Sequence, residues 1–102
     1  MAATKCFEDL LYLVVDQGAS DLHLYAGGAP MLRVSGALVP IAKHPILTSE
    51  QTEEMLKSIV PSDRWGSFLE RQSIDISYAH RVDARFRVNG YRVQGTTALA
   101  LR

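Results

Sequence analysis

Ala84-Arg85-Phe86-Arg87-Val88-Asn89-Gly90 decides how this chain is read. Apolar and polar residues alternate there with the period of two of a half-buried strand. Taken with the two residues before it, Val82, Ala84, Phe86 and Val88 share one face, and Asp83, Arg85, Arg87 and Asn89 share the other. The first set belongs on a hydrophobic core. The second projects two guanidinium groups side by side, about 7 Å apart along the strand. One-sided alternation of this kind points to an antiparallel sheet with one packed face and one wet face. Asn89-Gly90 is the strongest short hairpin signal in the chain, and it predicts strands over 82–89 and 91–101 around a tight turn.

Working outward, Ile74–Tyr78 reads as the strand before the arginine block. Before it lie two helices. Thr48 with Gln51 three residues on forms a capping-box pattern, and Met55, Leu56, Ile59 and Val60 give the buried stripe of the first helix, which Pro61 ends. The second helix takes Ser62 as its cap and Trp65, Phe68 and Leu69 as its apolar face. Further upstream, residues 20–25, 31–35 and 37–41 read as strands, the last two joined by a turn at Ser35-Gly36. Residues 4–16 read as a helix, with Phe7, Leu10, Leu11 and Val14 at the spacing of one helical face. The order of helix, three strands, two helices and three strands predicts an α+β domain. It is an antiparallel sheet of about six strands with helices packed on one face.

The chain has 102 residues, enough for one domain with its own core. Its net charge is zero, so bulk charge gives no argument for nucleic acid or an anionic membrane. The neutrality hides an asymmetry. Residues 81–102 hold five arginines against Asp83 alone, a net of +4, which leaves −4 for residues 1–80. A single cysteine, Cys6, excludes an internal disulfide and a cysteine-based metal cluster, and reducing cytosol is the natural compartment. No window approaches the roughly 20 apolar residues of a membrane span, and no signal peptide is visible.

Arginine on the wet face of a sheet has an ordinary explanation in solubility. It also has a chemical one, because the guanidinium fork makes short, charge-assisted bonds to phosphate oxygens. Other motifs carry less. Asp21 and His23 lack the third ligand or nucleophile that metal or acid–base chemistry requires, and a structural role is expected of them. Cys6 has no base in reach by sequence and is read as packing, although its place near the first helix start would favour a thiolate. Gly27-Gly28 is not a phosphate loop, and the string G-x-x-x-x-G-K-[ST] occurs nowhere in the 102 residues. Hydrolysis of ATP is therefore not expected of this chain alone.

Two blocks, Gly18-Ala19-Ser20-Asp21-Leu22-His23-Leu24 with Pro30-Met31-Leu32-Arg33-Val34-Ser35-Gly36, and Ala84-Arg85-Phe86-Arg87-Val88-Asn89, lie in a familiar order and spacing. Together they resemble the amino-terminal domain of the PilT-like pilus retraction ATPases, a branch of the type II/IV secretion ATPase superfamily. The resemblance spans roughly Phe7 to Arg102, and Gln94 stands about where that family often has an arginine. It implies a PAS-like fold over residues 1–102, with the P-loop ATPase domain lying outside this chain. It implies that Arg87 contacts nucleotide, with Arg85 and Arg33 matching further cationic positions. No cofactor is expected in this piece, whereas ATP and Mg2+ are expected in the parent protein. The implied partners are the ATPase domains of the same and a neighbouring subunit in a homohexamer, and a pilus platform protein of the inner membrane. The implied location is cytoplasmic, peripheral to that membrane, without insertion into it.

Alternatives remain at this stage. One is a pilus extension or type II secretion ATPase. Another is a free-standing small-ligand sensor, against which the plainly aliphatic core faces weigh. A third is an RNA-binding module, against which the placement of Phe86 opposite Arg85 and Arg87 weighs, since RNA-binding sheets put aromatics on the contact face.

Overall fold

The computed structural model describes residues 2–41, 44–81 and 84–102. Val82 and Asp83, assigned above to the arginine strand, lie outside the described residues. The elements are α1 (Ala2–Gln17), β1 (Asp21–Leu24), β2 (Met31–Val34), β3 (Ala37–Pro40), α2 (Ser49–Ile59), α3 (Ser62–Arg71), β4 (Ser73–Arg81), β5 (Ala84–Val93) and β6 (Thr96–Leu101). The strands form one sheet in the order β3-β2-β1-β6-β5-β4, and each neighbouring pair is antiparallel. The α+β architecture expected from the sequence is present.

The helices cover one face of the sheet. Phe7, Leu10, Leu11 and Val14 of α1 are buried together with Met55 and Leu56 of α2, over Leu22, Leu24, Val88, Leu99 and Leu101 of the central strands. The α2 start is built as its sequence predicts. Thr48 Oγ1 accepts the Gln51 amide at 3.1 Å, and Gln51 Oε1 accepts the Thr48 amide at 2.9 Å.

The second helix differs from expectation at two points. Its cap residue is Pro61, not Ser62, and it makes no side-chain cap hydrogen bond. Pro61 holds the chain extended (φ −55°, ψ 139°), so Ser62 is already helical and its hydroxyl is past the capping position. Leu69 is also 44% exposed rather than part of the apolar face. The helix sits near β4 at the sheet margin, so only a narrow stripe finds a partner. Phe68 fills it, with Trp65 stacked on it at 5.0 Å between ring centroids.

The largest correction concerns Asn89-Gly90. No turn occurs there. The strand β5 runs straight through, with Gly90 paired to Ile74 on one side and Leu99 on the other. The reversal comes at Gln94-Gly95, two successive left-handed residues (φ 51° and 81°), the backbone signature of a type I′ hairpin. Gly90 serves a different purpose. A Cβ at that position would lie 2.6 Å from Leu56 Cδ2 and 2.8 Å from Cδ1, so its hydrogen lets α2 approach the sheet. Because β5 is continuous, its parity continues too. Arg92 falls on the helix-covered face, where its Nη2 donates to Glu53 Oε1 at 2.7 Å and its guanidinium lies over the Phe68 ring.

Candidate functional site

Among the described residues, no helix lies over the face of the sheet that carries Arg85 and Arg87. Strand register lines up one row of side chains across it. Arg33 on β2 is opposite Asp21 on β1. Leu22 pairs with Leu101, which sets Asp21 beside Arg102, one residue past β6. Arg102 and Arg87 then exchange both backbone hydrogen bonds (3.0 and 2.9 Å), and Arg87 is opposite Ser77 on β4. The row therefore reads Arg33, Asp21, Arg102, Arg87, Ser77. Directly opposed residues of this kind carry their Cβ atoms about 5 Å apart, so Arg102 and Arg87 stand as a close pair of cations.

The arginines differ in what already holds them. Arg85 Nη1 donates to Ser77 Oγ at 2.9 Å. Arg33 lies on the same face, its Nη1 donating to the Gly36 carbonyl at 3.1 Å and its Nε 3.8 Å from Asp21 Oδ2. Arg102 Nε is also 3.8 Å from that oxygen, while its side chain stays 77% exposed. Arg87 is exposed, and its guanidinium has no hydrogen bond or ion pair among the described residues. Of the three arginines read from the sequence, Arg87 is thus the one with its fork free. Arg33 stands three strands away from Arg87, with β1 and β6 between them, and is tied down locally.

Arg87 and Arg102 flank a cleft of about 320 Å³, with Asn89, Ala100 and Asp75 completing its lining. Ala100, opposite Asn89, leaves room beside the two cations, and the Asn89 amide adds a neutral donor. Asp75 is the one carboxylate in the lining, and it disfavours an anion placed against it. Arg87 also borders an adjoining hollow with Arg64 and Ser77. This donor set fits a phosphate or polyphosphate, which takes forked bonds from two guanidinium groups at once. Among the described residues, no group of three or more His, Cys, Asp or Glu side chains is placed to hold a metal ion.

The sequence reading did not single out Arg102. The alternation Ala98-Leu99-Ala100-Leu101-Arg102 put its side chain on the outer face in principle. Its neighbour in space depends on β6 lying between β1 and β5, which no local pattern announces.

Phe86 is buried on the helix side, as its parity required. The outer face nevertheless carries aromatics, since Tyr25 and Tyr91 line a separate groove of about 480 Å³ with His23, Met31 and Ala98. Cys6 is corrected more sharply. The fold brings His44 to it, with Sγ 3.3 Å from Nε2, although the two are 38 residues apart. His44 Nδ1 donates to the Pro45 carbonyl at 2.8 Å, which leaves Nε2 as the acceptor of the thiol proton. Burial, with a smaller contribution from Asp9, pushes the Cys6 thiol up from its ordinary pKa, so no thiolate is favoured there.

No family model matches the chain. Over 96 residues it is 33% identical to the type IV pilus ATPase PilU of Pseudomonas aeruginosa, an alignment covering 94% of this chain and 25% of PilU. Over 83 residues it is 39% identical to the type IV pilus retraction ATPase PilT of the same organism, covering 81% of this chain and 24% of PilT. The chain belongs to the PilT-like secretion ATPase family. It spans about a quarter of the length of these relatives. The fold agrees with that membership. The crystal structure of the pilus retraction motor PilT with bound ADP matches with a TM-score of 0.84 and 32% identity, over 93% of this chain and 28% of that one. The ATPase DotB of Legionella pneumophila matches with a TM-score of 0.79 and 27% identity, over 97% of this chain and 28% of DotB. In this PilT-like domain, Gln94 lies in the β5–β6 turn.

Proposed function

We propose that this chain is the regulatory and mechanical amino-terminal domain of a hexameric type IV pilus ATPase, acting in retraction. Arg87, with Arg102 beside it, contacts the phosphates of a nucleotide held by an ATPase domain at a subunit boundary. Nucleotide binding then draws the outer sheet face against that domain, and turnover releases it. The P-loop, ATP and Mg2+ belong to the rest of the parent protein, which works in the cytoplasm against an inner-membrane platform protein. The observation that carries the reading is Arg87 itself, an arginine with a free fork on an uncovered sheet face, opposed by a second exposed arginine.

The two donors suit this task chemically. A cation delivered from outside the ATP-binding domain neutralises charge that builds on the transferring phosphoryl group. Arg87→Ala in the longer protein is expected to weaken ATP binding and slow turnover, while leaving the stability of this domain within about 0.5 kcal/mol, as for other surface substitutions. ATP affinity and turnover equal to wild type would overturn the assignment. The likeness to DotB, whose name gives an ATPase and no pilus, supports a second reading, in which the parent is an ATPase of the same family outside pilus retraction. A knockout that leaves pilus retraction intact would select it.

A further inference from the structure

We propose that Asp21 is the internal counter-anion of this site, holding Arg102 when no phosphate is present and giving it up when phosphate arrives. The inference rests on the proposed phosphate contact of Arg87 and Arg102, and it names the residue that tunes that contact.

The geometry of one oxygen carries it. Asp21 Oδ2 has two arginines and a histidine as neighbours, Arg33 Nε at 3.8 Å, Arg102 Nε at 3.8 Å and His23 Nε2 at 3.6 Å. None of these is within hydrogen-bonding distance, so the carboxylate is a shared electrostatic tether rather than a lock. Its side chain is only 14% exposed, which weakens screening by solvent. The partners are not equivalent. Arg33 is anchored on its own strand pair by the Gly36 carbonyl, and His23 is on the same strand as Asp21. Arg102 is the exposed one and borders the cleft.

Two consequences follow for an anion entering beside Arg87. Asp21 competes with it for Arg102, and it repels it through space. A carboxylate stripped of its only cation in a partly buried place would resist release strongly. Here Arg33 stays behind, so Arg102 can leave without orphaning the charge. Arg33 therefore acts on phosphate binding through Asp21, as a positioning residue, two strands from the ligand.

The test uses the chain with inorganic tripolyphosphate at low ionic strength, read by NMR on the side-chain Nε–Hε signals of the arginines. In the wild type, the Arg87 and Arg102 signals are expected to titrate together. Asp21→Asn is expected to tighten binding by about two- to fivefold, the range an exposed ion pair supports. Arg33→Gln is expected to weaken binding by a similar factor, and to change it far less in the Asp21→Asn background. Backbone amide dispersion in the same spectra shows that each variant is folded. Unchanged or weaker binding in folded Asp21→Asn, with Arg87→Ala still abolishing it, overturns the counter-anion role and leaves the phosphate contact standing. A wild-type chain whose Arg87 and Arg102 signals ignore tripolyphosphate overturns both.

Discussion

Replacing Gly90 with alanine tests the least expected packing in this domain. The added Cβ would sit 2.6 and 2.8 Å from the two methyl carbons of Leu56 and 3.2 Å from its Cγ. Ordinary carbon–carbon contacts lie at about 3.5–4.0 Å, so Leu56 must retreat by roughly 1 Å. Both of its branches are struck, so swapping the two methyls does not clear the overlap. Leu56 is fully buried in the core, between α2 and the sheet. Overpacking of this kind costs about 1–3 kcal/mol. Alanine returns about 0.5–1 kcal/mol, because glycine in a strand interior loses more freedom on folding. The net expectation is a loss of about 1–2 kcal/mol, or about 5–15 °C in Tm for a domain of this size.

Urea and thermal denaturation followed by circular dichroism measure that loss. The decisive comparison is made in a Leu56→Ala background, which by itself costs about 2–5 kcal/mol. There the methyl of residue 90 enters vacated space, and Gly90→Ala is expected to be neutral or stabilising. If Gly90 were instead a left-handed turn residue, alanine would be strained in both backgrounds. Equal destabilisation with and without Leu56 would refute the packing argument.

Thr48→Ala removes the hydroxyl half of the capping box at α2, while the bond from the backbone amide of residue 48 to Gln51 stays possible, and is expected to lower stability by about 1 kcal/mol, read in the same denaturation assay. Cys6 is expected to react with iodoacetamide more slowly than a free thiol at neutral pH, and to speed up only as pH rises past its raised pKa; a thiolate already formed near neutrality would contradict the His44 geometry. Since the folded-state pKa is raised, the contribution of Cys6 to stability is fully present below its unfolded value. It is lost as pH climbs through the folded one, so Cys6→Ser is expected to flatten the alkaline arm of the stability profile.

Much of the fold was legible because its signals are local. The stripe of Phe7, Leu10, Leu11 and Val14, the box at Thr48 and Gln51, and the alternation from Arg85 to Asn89 each span less than three helical turns or one strand. Within such spans, backbone periodicity dictates which side chains share a face. The same rule put Arg85 and Arg87 outward and Phe86 inward, as found. Asn89-Gly90 misled because an identical dipeptide satisfies two demands. Glycine permits a left-handed turn, and it also permits close approach by a neighbour. Only the position of Leu56, 34 residues upstream, decides between them.

Sequence alone determined the fold class, the one-sided arginine strand, the cap of α2 and the kinship with PilT-like ATPases. Tertiary structure alone decided that Arg102 opposes Arg87, that Asp21 stands between Arg102 and Arg33, that Arg92 turns inward to Glu53, and that His44 reaches Cys6. The physical reason is the same in each case. Periodicity fixes the face a side chain occupies, but strand order and register fix its neighbour. Those are set by the burial of the whole core rather than by any segment within it.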